Sequence, residues 1–184
     1  HGLPDLDAEH LSTASRFHHL TRFHVPLLFY HDSWKTKETF DFLATEPDLL
    51  VTIASMTGHS ALVRNLGRDL WDPRFKNQRM AFHYVYYRSP PLFAVLDDHY
   101  YLTAEPKRIL GFYDLSSPHP DQTLTLSTQI QGVLSDQLND SQDLQERKQK
   151  LSDFAFGLYE TSKYLLYHNP NPLHKNQEMA KNQN

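Results

Sequence analysis

Histidine is the residue whose number and placement in this chain could do chemistry. There are 12, and six of them (His1, His10, His18, His19, His24 and His31) fall within the first 31 positions. Neutral imidazole is the commonest side-chain ligand for transition metals and the usual proton carrier near neutral pH. So loaded a front end raises either a metal site or an acid–base site. The spacing argues against a self-contained one. His18 and His19 are adjacent, and on a strand adjacent side chains leave opposite faces. Asp5, Asp7 and Glu9 stand at alternate positions, as oxygen ligands of a cation loop do, yet no Asp-x-Asp-x-Asp-Gly frame follows. By themselves these residues read as a solvated polar loop. His59, His83, His99, His119 and His168 are scattered and read as ordinary structural histidines.

Several other chemistries are excluded or disfavoured. With no Cys there is neither a disulfide nor a thiolate metal site. The sequence contains no phosphate-cradling G-x-x-x-x-G-K-[ST], no G-x-G-x-x-G, no H-E-x-x-H and no G-x-S-x-G. Six glycines in 184 residues leave little for a glycine-rich loop. Net charge is −4, from 18 basic and 22 acidic residues, without a basic block, so no nucleic-acid partner is expected. The longest apolar run, "VPLLFY", is too short to cross a bilayer. The tyrosine-rich "YVYYR" and "HYY" could stack bases or sugars, but aromatics at strand spacing more often form cross-strand pairs and core.

These residues need elements to hold them. Residues 1–22 are polar and turn-rich, with room for one helical turn around Ala8–Phe17. "HVPLLFY" (24–30) is a continuous apolar run with a β-branched start, which predicts a buried strand with Pro26 at an irregular end. In "TEPDLLVTIASMTGH", Thr45 is the expected N-cap and Pro47 sits in the first turn. Leu49, Leu50, Ile53, Ala54 and Met56 form the expected apolar face, and Gly58 is the stop. "MAFHYVYY" (80–87) reads as a strand, and "LFAVLDDHYYLT" as a hairpin turning at Asp97-Asp98. A shorter extended piece is expected at "GFYDL" (111–115). From an N-cap at Asp140 or Ser141, Leu144, Leu151, Phe154, Leu158, Ser162 and Leu165 trace one face of a long helix that ends at "NPNP". Its polar face mixes both signs, which favours packing on the chain's own sheet over a membrane surface.

Taken in order, these segments resemble the C-terminal half of a sulfatase-type catalytic domain of the alkaline phosphatase superfamily, closest to the lipoteichoic acid synthase and phosphoglycerol transferase branch. "HG" at residues 1–2 is similar to the end of that family's Asp-His-Gly metal motif. "FHVPLLFY" (23–30) is similar to the family's strand after "(R/H)VP". "DLLVTIASMTG" (48–58) is similar to "DLLPTLLDLLG", with Val51 in place of the common Pro. "LGRDL" (66–70) is similar to a "GRSL"-like phrase, and "GFYDLSSPHPDQTLTL" (111–126) to "ELYDLxxDPxExxNL". "LYETSKYLLYHN" (158–169) is similar to the end of proteobacterial members. The likeness spans nearly the whole chain.

The resemblance implies an α/β fold: part of an alkaline-phosphatase-like mixed-sheet sandwich, a small C-terminal antiparallel sheet and a closing amphipathic helix. The implied organisation is residues 1–75 for the end of the catalytic core, 76–139 for the β-rich subdomain, 140–170 for the helix and 171–184 for a polar tail. It implies one divalent metal ion (Mn, Mg or Zn) with His1 as a ligand, and a weaker role for His10 in contacting substrate or leaving group. The Thr nucleophile and the remaining ligands would lie upstream, so the chain is expected to be a fragment broken inside its metal motif and inactive alone. The implied partners are a phospholipid headgroup or phosphoglycerol-type substrate and the missing N-terminal half. The implied location is the extracytoplasmic, periplasmic face of a bacterial inner membrane, with a membrane-anchored parent. Alternatives are a sulfatase or phosphodiesterase that hydrolyses its ester, a non-catalytic binding module of the same fold, and an unrelated α/β domain.

Overall fold

The computed structural model describes residues 12–14, 18, 20–60, 64–76, 79–85, 89–124 and 135–168. It is a mixed α/β arrangement: a four-stranded antiparallel sheet and two helices, α1 (Glu46–Met56) and α2 (Ser135–His168). The expected C-terminal tail and the segment 1–11 lie outside the described residues.

The sheet is a meander in chain order, β1 (Ala81–Val85), β2 (Leu92–Leu96), β3 (Tyr100–Glu105) and β4 (Arg108–Asp114). The β2–β3 turn is fixed by Asp97. Its carboxylate Oδ1 accepts from the His99 and Tyr100 backbone N–H groups at 2.9 and 2.8 Å, which closes the hairpin locally. The expected hairpin is thus present, with His99 also in the turn. β4 begins three residues before the expected extended piece, because the two-residue turn between Glu105 and Arg108 pairs it with β3 from the start. A register shift at Thr103/Ala104 absorbs the extra residue.

Alternation along the strands sends two sets of side chains to opposite faces. Phe93, Val95, Leu102, Ala104 and Phe112 form one face, and α2 covers it with Leu151, Ala155 and Tyr159. The Phe93 ring stacks on Tyr159 at 4.6 Å and meets Phe156 edge-on at 5.3 Å. α2 begins at Ser135, ahead of the expected cap at Asp140 or Ser141, since neither Gly nor Pro interrupts 135–141. The helix is rotated slightly from expectation: Ala155 and Tyr159 are buried, while Phe154 and Leu158 are half-buried. A second tie is the Arg147 Nε contact with the buried Asp97 Oδ2 at 3.2 Å, joining the helix to the hairpin turn.

The first half of the chain corrects two expectations. "HVPLLFY" (24–30) is extended but is no strand, and most of its side chains are exposed; Leu28 and Tyr30 are 84% and 83% accessible. A strand exists only when a neighbour answers its backbone groups. Among the described residues none hydrogen-bonds to the backbone of Val25–Tyr30. The second correction concerns α1, whose boundaries match the expected helix. Its buried residues are Asp48 and Thr52, while Leu50, Ile53 and Met56 of the expected apolar face stay exposed.

Candidate functional site

The two residues with an expected direct role, His1 and His10, lie outside the described residues. Three groups within the described residues bring chemically competent side chains together.

The first is the junction of α1 with residues 67–70. Asp48 Oδ2 accepts from the Thr45 backbone N–H at 2.8 Å and from the Thr45 hydroxyl at 2.9 Å, holding the helix start. Asp48 Oδ1 accepts from the Arg68 backbone N–H at 2.7 Å and stands 3.5 Å from the Arg68 Nε. The Thr52 hydroxyl donates to the Asp48 carbonyl at 2.7 Å and accepts from the Leu70 N–H at 3.0 Å. Gly67 makes this docking possible: a Cβ there would collide with the Pro47 carbonyl oxygen. Arg68 Nη2 continues to the Met80 carbonyl at 2.8 Å, and Arg79 Nη2 to the Leu70 carbonyl at 2.6 Å, so the junction is laced to the approach of β1. A carboxylate, a hydroxyl and a guanidinium could be catalytic in an open cleft. Here Asp48 and Thr52 are fully buried and bonded to backbone, so the group positions the chain and meets no substrate.

The second group is an exposed trio in consecutive positions, His31, Asp32 and Ser33. The Ser33 hydroxyl lies 2.7 Å from His31 Nδ1, and Asp32 Oδ1 lies 3.4 Å from that same nitrogen. A nucleophile–base–orienter relay needs the hydroxyl on one ring nitrogen and the carboxylate on the other. Both partners crowd one nitrogen here, so the trio is a local turn and no hydrolase triad. It edges a groove of about 400 Å³ whose walls include Phe29, Tyr30, Trp34, Ile53 and Met56.

The third group covers the sheet face opposite α2. His83 Nε2 and the Tyr101 hydroxyl are 3.0 Å apart, and the Phe23 ring lies parallel on the His83 ring at 4.1 Å. His18 sits against Tyr101 and Tyr113 at centroid distances of 5.0 and 4.4 Å, with Nε2 donating to the Pro120 carbonyl at 2.6 Å. Burial holds the His83 imidazole down to about 4 and pushes the Tyr101 phenol up, with Tyr113 adding to the latter. His83 is therefore neutral near pH 7 and Tyr101 keeps its proton. Sequence reading treated His83 as structural and passed over its pairing with His18 and Phe23. No local signal marks contacts so distant in the chain.

A scan of protein-family models and searches of curated proteins and of solved structures find no match to this chain. The family is therefore not shown by any relative.

Among the described residues, no three His, Asp or Glu side chains are grouped to hold a metal ion. The expected ligand His1 is outside that set. His99 belongs to the hairpin turn and His119 to the turn near Pro120, whereas His168 stacks on Tyr164 at 4.4 Å at the end of α2. No helix among the described residues is long and apolar enough to cross a membrane.

Proposed function

We propose that this chain is the C-terminal part of a metal-dependent phosphoryl-transfer enzyme, phosphoglycerol transferase-like and built on a sulfatase-type mixed-sheet sandwich. It would act on a phospholipid headgroup or phosphoglycerol ester at the extracytoplasmic face of a bacterial inner membrane, in a membrane-anchored parent. The observation that carries this reading is the state of "HVPLLFY". It is a core-strand sequence held extended, with apolar side chains uncovered and backbone groups unanswered by any described residue. Such a segment fits the centre of a sheet whose other strands come from elsewhere. The resemblance phrases "DLLVTIASMTG" and "LGRDL" support it further, because Asp48 and Thr52 bind them to one another.

On this reading His1 would hold a divalent ion, Mn, Mg or Zn, together with upstream ligands. When bound, such an ion lowers the nucleophile's pKa and neutralises charge on the attacked phosphoryl group. His10 would contact substrate or leaving group. The residues described here have a positioning role: the α1 junction fixes the segment that follows the extended run.

The test begins with peptide sequencing upstream of His1. An Asp directly before His1, and a Thr in the nucleophile position further upstream, are expected; a Cys or Ser in a sulfatase signature would turn the reading to sulfate-ester hydrolysis. In the chain extended upstream, His1→Ala should cut phosphodiester turnover by orders of magnitude and lower metal content, since it deletes a direct ligand. His168→Ala should change neither. Wild-type turnover and metal content in His1→Ala would overturn the assignment. Glycerol as acceptor separates transfer from hydrolysis by product. A folded, extended protein lacking both activities, with no Asp before His1, would be a binding module.

A further inference from the structure

We propose that Val25–Tyr30 and the exposed stripe of α1 form a strand-addition site whose occupant is an extended apolar segment from the upstream half of the same catalytic domain. That occupant exists only if this chain is the C-terminal part of a larger enzyme, the reading on which the proposal rests. Exposure alternates along the run. Val25 and Leu27 are 41% and 45% accessible and Phe29 is half-buried, whereas Leu28 and Tyr30 are 84% and 83% accessible. The alternation is that of a strand, with one face partly sheltered and the other in water.

The chemistry of the run selects its occupant. Among the described residues none hydrogen-bonds to the backbone of Val25–Tyr30. Between Phe23 and His31 there is no Lys, Arg, Asp or Glu, so the polarity the run offers is that of its peptide groups. The electrostatic complement of such a row is a second extended backbone, with N–H set against C=O at the strand repeat. An acyl chain would cover the side chains and leave buried peptide donors and acceptors orphaned, which is costly. An anionic headgroup or a nucleic acid would find no cation along the run.

The two edges are not equivalent. Successive residues of an extended run send their N–H and C=O groups to alternate edges. Val25, Leu27 and Phe29 share one edge, and each has both groups to offer. Pro26, Leu28 and Tyr30 share the other, where Pro26 has no N–H to give. A partner strand therefore pairs along the whole of the first edge, and on the second only from Leu28 onward. Beside the run, Phe29, Tyr30 and Trp34 face Ile53 and Met56 of α1 across the groove, and Leu50 extends that exposed stripe. Run and stripe are continuous through the groove, so one apolar segment can pair with the run and fill the groove with its side chains.

The experiment is amide hydrogen exchange, read residue by residue, on the full 184-residue chain and on the same chain extended upstream to the whole catalytic domain. In the 184-residue chain the Leu27 and Phe29 amides should exchange within about tenfold of an unstructured peptide, and in the extended protein at least about 100-fold more slowly. Leu28→Asp should leave exchange at Phe93 and Leu102 unchanged in the shorter chain. In the extended protein it should abolish protection at Leu27 and Phe29 while Phe93 and Leu102 stay protected. If that variant fails to fold, the wild-type comparison decides alone. The proposal is overturned if Leu27 and Phe29 stay unprotected in the extended protein, or if a folded Leu28→Asp variant keeps their protection. It is equally overturned if the shorter chain already protects them: protection that grows with concentration would make a second copy the occupant, and protection that does not would mean the chain covers itself. His1-dependent turnover with an unprotected run would keep the enzyme reading and sink the docking site. Protection without an Asp before His1 and without turnover would do the reverse.

Discussion

The two halves of this molecule treat similar apolar residues in opposite ways. In the sheet and α2, Phe93 and Leu102 have no accessible surface, and rings from strand and helix interlock. In residues 24–56, Leu28, Tyr30, Leu50 and Ile53 lie open to solvent, and what is buried is Asp48 and Thr52. The difference lies in partnership more than in composition. A meander of hairpins finds its neighbours within a few residues, so 81–114 can close its own ladder and needs one amphipathic helix for a lid. Among the described residues none hydrogen-bonds to the backbone of Val25–Tyr30, and the exposed Ile53 and Met56 of α1 line a groove with Phe29, Tyr30 and Trp34. Among the described residues, the first half is tied by hydrogen bonds at the α1 junction and by ring contacts such as Phe40 on Trp71 and Phe23 on His83, the second by a packed core.

That contrast can be broken most directly at Phe93. Phe93→Ala empties a ring site between β2 and α2 and should cost about 3–5 kcal/mol in chemical denaturation, enough to unfold a marginal chain. A cost below about 1 kcal/mol would mean the sheet–helix core is loose in solution. Next in size is Asp48→Ala. It strands the Thr45 and Arg68 N–H groups and leaves the half-buried Arg68 without its carboxylate, at a cost of about 3 kcal/mol. Hydrogen exchange should quicken first at α1 and residues 68–70 while β2 and β3 stay protected. Uniform acceleration across both regions would show one cooperative unit and erase the distinction. The smallest effect belongs to Leu28→Ser, expected to move stability by no more than about 0.5 kcal/mol. It should lower the binding of a hydrophobic dye to the chain. A large loss of stability there would show that the run is covered in solution after all.

Element identity was well marked in the sequence wherever the signal was local. Thr45, Pro47 and Gly58 bracket α1, and the turn residues at Asp97 and Asp98 place the hairpin, because caps and turns are settled by neighbouring backbone groups. The failures share a cause. Helical spacing assigned a core face to α1 and a continuous apolar run assigned a buried strand to 24–30, since an apolar pattern says what a segment would bury and never against what. The candidate site was legible to a lesser degree. His83 and Tyr101 belong to strands that sequence reading placed, yet Phe23 and His18 meet them only through long-range packing that no spacing encodes.

By itself the sequence determined what its short-range physics could determine: no disulfide, no basic footprint, the caps of α1, the strands of the meander with the turn at Asp97-Asp98, and a long C-terminal helix. Tertiary structure decided which faces those elements use. It buried Asp48 and Thr52 instead of Leu50 and Ile53, because backbone N–H groups of Arg68 and Leu70 were there to be answered. It also lowered the proton affinity of His83 by burying its ring on the sheet, in surroundings that include Tyr101 of β3 and a phenylalanine, Phe23, from sixty residues earlier in the chain.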